Sequence, residues 1–157
     1  GLQTMSDTSA SDRSDMAPVC RFWLAPGVIN GLAWAGLLMP STDLAGRRFP
    51  LTVAQPMATL GQAIAARRWF SGVVAAMRFT LDKQHTLDDF EDCLSALPPP
   101  LARAAPRADE LLATEVQGKA CAGSVWWRHG ATHADDFLSW SGLPLPAALA
   151  SLLESPR

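Results

Sequence analysis

The sequence contains no tyrosine and few charged residues, and each shortage restricts what the chain can be. Charged residues make up 18% of the 157 residues, and the net charge is only −2. The chain therefore lacks the basic excess that marks nucleic-acid-binding proteins. Its longest apolar run, Leu32 to Pro40, is far shorter than the roughly 20 residues that cross a bilayer. We accordingly expect no nucleic-acid partner and no membrane insertion.

Cysteine is scarce as well. Three cysteines stand far apart and form no C-x-x-C pair: Cys20, Cys93 and Cys121. This pattern favours reduced thiols, buried as small apolar side chains, in a cytoplasmic protein. The N-terminus has neither the basic nor the apolar region of a signal peptide. P-loop, G-x-G-x-x-G and G-x-S-x-G motifs are all missing, so the sequence indicates no cofactor.

Residues 1–17 differ in composition from the rest of the chain. Ser, Asp and Thr dominate there without an apolar period. Such a segment buries too little apolar surface to offset its ordering entropy, so we predict a loop or disorder. Residues 18–157 are long enough for one domain with its own core.

Apolar periodicity predicts the elements of that domain. Strands are expected at Cys20–Ala25, Leu32–Met39, Arg48–Ala54, Gly123–His129 and Phe137–Gly142. Helices are expected at Leu60–Leu81, Leu87–Leu97 and Ala108–Val116, with a short one through Leu149 and Leu153. The order predicts an α/β fold with a largely antiparallel central sheet flanked by helices.

Three residues qualify this assignment. We expect Pro40 to end the second strand. Pro50 has no N–H, so its strand belongs at a sheet edge or carries a bulge. Arg67 falls inside the apolar stripe of the first helix, which indicates either that its side chain reaches solvent or that the helix is shorter.

Two groups of polar residues have the composition of candidate reactive sites. His129 and His133 stand four apart with Asp135 nearby, a spacing that binds zinc when it lies on a helix. Gly130 follows His129 and the segment links two strands, so a solvated turn is favoured. No local signature pairs a cysteine with a histidine. The acidic residues among positions 88–92 lie at a predicted helix start, where the helix dipole stabilises carboxylates.

The tryptophans and one turn offer candidate contact residues. Trp126 and Trp127 are adjacent in a strand, so they point to opposite faces. Both are core if both faces are covered, and one is a contact surface if a face is open. Asp43 and Arg47 flank a turn that an ion pair can order. Alternatively, Arg47 and Arg48 contact a partner, since arginine is enriched at binding hot spots.

Residues 21–55, RFWLAPGVINGLAWAGLLMPSTDLAGRRFPLTVAQ, carry a family resemblance. The segments R-F-x-L-A-P-G, W-x-G-x-L-M-P-S-x-D and G-R-x-F-P-L, followed later by S-V-W-W and G-L-P, are similar to the TagF/ImpM family of type VI secretion-associated proteins. Trp34, Asp43 and Arg47 lie within these motifs. The chain departs from the family in lacking its opening segment, so we expect a domain without the family's N-terminal strand.

The resemblance implies a three-layer sandwich and a function. It implies a non-enzymatic, cytoplasmic bacterial regulator that represses type VI secretion after translation, by binding a forkhead-associated scaffold protein. Trp34, Asp43, Arg47, Arg48, Trp126 and Trp127 are the expected motif or partner-binding residues. The alternative is a small metal-dependent or thiol hydrolase.

Overall fold

The structure is a computed structural model that describes residues 19–42, 45–83, 87–98, 100, 105–118 and 123–147. Over these ranges the chain forms five strands and four helices. The strands are β1 (Cys20–Leu24), β2 (Trp34–Thr42), β3 (Arg48–Pro56), β4 (Ser124–Arg128) and β5 (Phe137–Trp140). The helices are α1 (Leu60–Ala65), α2 (Arg67–Lys83), α3 (Leu87–Ser95) and α4 (Arg107–Gly118). The predictions for residues 1–17, Asp43, Cys121 and the C-terminal helix lie outside the described residues.

The strands form one antiparallel sheet in the order β3-β2-β1-β4-β5. β1 therefore lies at the centre, and β3 lies at an edge, as Pro50 predicted. All five predicted strands are present. The α/β class and the antiparallel central sheet flanked by helices are confirmed.

One face of the sheet packs against the helices. Alternation directs Trp23 of β1 and Leu37 of β2 toward this face, where both are buried. Each of the four helices contributes at least one buried residue to the same cluster, among them Ile64, Phe70, Phe90 and Val116. Full burial of a side chain such as Phe70 contributes about 1.5–3 kcal/mol. Since this face carries the larger of the two buried clusters, it forms the main core.

The opposite face carries a smaller apolar cluster. Its buried members are Cys20, Phe22, Leu24, Leu38 and Trp126, with Val28, Trp34 and Trp140 packed beside them. Gly36 allows this packing, because a Cβ there would lie 2.6 Å from Cζ of Phe22 and would also meet the Val53 carbonyl oxygen. Within the described ranges this cluster contains strand and loop residues and no helical residue.

The prediction that Pro40 ends its strand is wrong. β2 continues to Thr42, and Pro40 lies opposite Pro50 of β3. Antiparallel strands alternate between pairs that exchange hydrogen bonds and pairs that do not. Pro40 and Pro50 have no backbone N–H, but they form a pair that exchanges no hydrogen bonds. The two strands therefore lose no hydrogen bond at this position.

The prediction of one helix over Leu60–Leu81 is also wrong. The helix stops at Ala66, whose φ of −78° and ψ of 43° leave the α region. The Ala66 N–H bonds back to the Ala63 carbonyl at 3.3 Å, and α2 starts at Arg67. Arg67 thus begins a separate helix and does not belong to the apolar stripe of a single helix over Leu60–Leu81.

Candidate functional site

The hairpin of β2 and β3 separates two groups of predicted contact residues. Trp34 begins β2, whereas Arg48 pairs with Thr42 at the other end of that strand. Eight residue steps of an extended strand span about 27 Å. Trp34 therefore cannot share one compact contact patch with Arg47 and Arg48.

Arg47 lies at the turn end of the hairpin and is exposed. Gly46 precedes it with a φ of +82°, a conformation that favours glycine, so the turn geometry matches the sequence. Asp43 lies outside the described residues. The ion pair between Asp43 and Arg47 accordingly stays a prediction.

Trp126 and Trp127 are both core residues. Trp126 is 4% exposed, its ring lies 5.0 Å from that of Phe22, and its indole N–H donates to Ser124 Oγ at 2.9 Å. Trp127 is 2% exposed and lies on the helical face, 5.0 Å from the ring of Phe137. Both faces of the sheet are covered at this point, and neither indole offers a surface to a partner.

The loop from β1 to β2 has a defined hydrogen-bonded conformation. Asn30 Oδ1 accepts from the Leu32 backbone N–H at 2.9 Å and from the Trp34 indole N–H at 3.0 Å. The Asn30 carbonyl accepts from the Gly27 N–H at 2.6 Å. Ile29 and Leu32 are nevertheless 61% and 52% exposed on this loop. We call Ile29, Leu32 and Trp34 the β1–β2 loop surface.

A shallow cavity of about 440 Å³ adjoins this loop. Its lining includes Pro26, Leu32, Pro56, Met57, Gln62 and Pro100. The described lining is mainly apolar and contains no charged side chain. It offers room for an apolar side chain rather than for an ionic substrate.

Sequence reasoning missed a buried arginine site. Arg21 lies in central strand β1, faces the helices and is 7% exposed. Its guanidinium carbon lies 4.5 Å from the ring centroid of Phe70 on α2. Its Nε and Nη2 atoms lie 2.9 and 2.6 Å from Nδ1 of His129. The two residues are 108 positions apart, so the only local signal is a cation within the otherwise apolar strand C-R-F-W-L.

The contact with Arg21 determines the tautomer of His129 and, together with burial, its protonation state. Nδ1 accepts the guanidinium protons, so the neutral ring carries its proton on Nε2. Burial, followed by the positive charges of Arg21 and Arg78, lowers the pKa of His129 to about 4. Burial and the nearby charge of Arg67 lower the pKa of Arg21 to about 10, so it remains a cation at neutral pH.

A second arginine site joins α2 to α4. Arg67 makes a bidentate contact with Asp109, whose Oδ2 accepts from Nη1 at 3.1 Å. The Asp109 side chain is 5% exposed, whereas that of Arg67 is 59% exposed. The hydrogen bond from Arg67 to Asp109 raises the pKa of Arg67.

The cysteine and histidine candidates for catalysis do not form a reactive site among the described residues. Burial raises the pKa of the Cys20 thiol to about 12, so the thiolate nucleophile is scarce at neutral pH. His133 is exposed and precedes a 3-10 turn, Ala134–Asp136, in which its N–H lies 3.4 Å from Asp136 Oδ2. Among the described residues, no three His, Cys, Asp or Glu side chains gather as metal ligands. No helix in the described ranges is long and apolar enough to cross a bilayer.

Comparisons with known proteins place this chain in a family. The family model for the TagF N-terminal domain, described as type VI secretion system-associated, matches residues 1–97. A search of curated proteins finds no match. The crystal structure of PA0076 from Pseudomonas aeruginosa PAO1 is 31% identical and superposes with a TM-score of 0.64. The similarity covers 90% of this chain and 72% of the other. The chain therefore belongs to the TagF family of type VI secretion system-associated proteins.

Proposed function

We propose that this chain is a non-enzymatic regulator that represses type VI secretion by binding a forkhead-associated scaffold protein in the bacterial cytoplasm. Family membership supports the association with type VI secretion. The observation that carries the binding role is the β1–β2 loop surface. Two large apolar side chains are exposed there on a loop whose backbone is already ordered.

An ordered loop with exposed apolar side chains suits protein binding for a physical reason. Association must offset the entropy of ordering interface residues, and a preorganised loop reduces that cost. Burial of Ile29 and Leu32 then contributes about 25 cal/mol per Å² of apolar surface. The adjoining cavity gives room for an apolar side chain of the partner, and the Trp34 indole is already oriented by Asn30.

The test is calorimetric titration of the chain with the forkhead-associated protein encoded in the same type VI gene cluster. Ile29→Ser and Leu32→Ser remove exposed apolar groups, so both variants are expected to keep the parent's fold. We expect each to raise Kd by about tenfold, as for a moderate hot spot. The matched control is Leu111→Ser on α4, because Leu111 is 58% exposed and belongs to a different element.

Two outcomes would contradict the proposal. If the parent does not bind the scaffold protein, the proposed partner is wrong. If Ile29→Ser and Leu32→Ser bind like the parent while Arg47→Ala or Arg48→Ala weakens binding, the interface lies at the other end of the hairpin. Circular dichroism of each variant separates loss of contact from loss of fold.

A further inference from the structure

The buried Arg21 site has an unbalanced charge. Arg21 contacts a neutral histidine and an aromatic ring, and no described carboxylate lies within bonding distance of its guanidinium. The nearby buried carboxylate, Asp109, pairs with Arg67. A buried cation without an acid pays a large desolvation cost. Burial is the main cause of the lowered pKa values of Arg21 and His129, and the charges of neighbouring arginines lower them further.

The side chains of this site offer several hydrogen-bond donors. A guanidinium has five N–H groups, and two of those of Arg21 are directed to His129 Nδ1. His129 then presents Nε2–H. In the part of the chain that the structure describes, nothing accepts from the buried Nε of Arg78 on α2, and the Arg78 charge contributes to the lowered pKa of His129. Arginine and neutral Nε2–H groups together favour a ligand that presents hydrogen-bond acceptors.

The three residues lie at different depths. Arg21 is buried, whereas His129 and Arg78 are partly exposed. His129 directly follows β4, and its N–H bonds to the Val19 carbonyl at 2.9 Å, which fixes the backbone there. The side chains that a ligand from solvent can contact are therefore those of His129 and Arg78.

We propose that Arg21, Arg78 and His129 form a binding site for an oxyanion, namely a phosphate or a carboxylate group. Planar guanidinium groups bind both kinds of anion through charge-assisted hydrogen bonds. Arg78 and His129 supply direct donors to the ligand. Arg21 acts as a positioning residue, because it orders the His129 ring and adds positive charge. The site is separate from the β1–β2 loop surface and does not depend on the proposed partner.

The experiment uses the full, ¹⁵N-labelled chain at pH 7 with inorganic phosphate and, separately, sodium acetate. Sodium chloride holds the ionic strength constant, so general salt effects are removed. The readouts are the Arg21 and Arg78 Nε–H resonances and the dissociation constant. We expect saturable shifts of the Arg78 resonance and a Kd for Arg78→Gln that is about ten- to one-hundredfold higher.

The matched control is Arg68→Gln, which removes an exposed arginine from the same helix and should bind like the parent. Saturation by phosphate at lower concentration assigns a phosphoryl ligand, and saturation by acetate at lower concentration assigns a carboxylate. Linear shifts with both anions would overturn the site. Equal Kd values for the parent and Arg78→Gln would overturn it too. If Arg78→Gln does not fold, the parent's Arg78 resonance is the test: a saturable shift supports the site and a linear shift overturns it.

Discussion

Arg21 in β1 and Arg67 at the start of α2 have opposite kinds of partner. Arg67 contacts the carboxylate of Asp109, which raises the pKa of Arg67, whereas Arg21 contacts a neutral ring and has a lowered pKa. Arg67 is the more exposed of the two and has a counter-ion. Arg21 is the more buried and has none among the described residues. The first arrangement is expected of a structural pair, and the second leaves positive charge available to a ligand.

Of the substitutions at the two arginine sites, loss of the Arg67 side chain should lower the free energy of unfolding the most. Arg67→Ala leaves the carboxylate of Asp109 buried without its cation, so we expect the free energy of unfolding to fall by about 2–3 kcal/mol. Urea denaturation followed by tryptophan fluorescence measures the change. The control, Arg68→Ala, is exposed and should change it by less than about 0.5 kcal/mol.

Substitution of Asp109, the buried partner of Arg67, tests the same ion pair. Asp109→Asn keeps an oxygen that accepts from Arg67 and leaves the cation largely in water. We therefore expect a loss of about 1 kcal/mol, smaller than that of Arg67→Ala. Equal losses in the two variants would contradict the view that the burial of Asp109 sets the cost.

The Arg21 site should be visible in the pH dependence of stability. The folded pKa of His129 is about 4, below the ordinary value of 6.5, so the unfolded chain binds a proton first as pH falls. The stabilising contribution is present above pH 6.5 and is lost as the pH falls toward 4. Since the ring is partly exposed, we expect a loss of about 1 kcal/mol between pH 7 and pH 5.

The matched variant for this measurement is His129→Gln. Glutamine offers an oxygen to Arg21 but does not titrate. Urea denaturation at pH 7 and pH 5 should therefore give a smaller difference in unfolding free energy for the variant than for the parent. The same difference in both proteins would mean that His129 is not the titrating group.

Arg21→Met should have the smallest effect on stability. Methionine retains apolar contact with Phe70 and removes the desolvated charge, so we expect a change below about 1 kcal/mol in either direction. Urea denaturation measures it beside the Arg67 variants. A fall of more than about 3 kcal/mol in the free energy of unfolding would mean that Arg21, like Arg67, is a structural residue.

The strands were predictable because their signals are local. β2 is apolar on both faces and β3 alternates, so both follow from the nearest residues. The break at Ala66 gave no such signal, since alanine is the best helix former and neither glycine nor proline is present there. Pro40 was misread because its effect depends on the register with β3: it lies in a non-hydrogen-bonded pair, so its missing N–H removes no bond between the two strands.

The candidate sites were predictable to a smaller extent. The length of β2 already implied that Trp34 lies far from Arg47 and Arg48. The pairing of Arg21 with His129 depends on β1 and β4 meeting at the centre of the sheet, which no local pattern encodes. The exposure of Ile29 and Leu32 depends on how Asn30 holds the loop.

The prolines of β3 affect how this sheet can be extended. The Met57 N–H bonds to the Ala33 carbonyl across the hairpin at 3.1 Å, so the backbone N–H groups at odd-numbered positions of β3 point toward β2. Positions 48, 50, 52, 54 and 56 point away from β2, and Pro50 and Pro56 occupy two of these five positions and carry no N–H. A foreign strand approaching this border would find only Arg48, Thr52 and Ala54 as backbone donors. The border of β3 is thus poorly suited to edge-to-edge aggregation, and a chain that adds a strand to this sheet should do so beside β5.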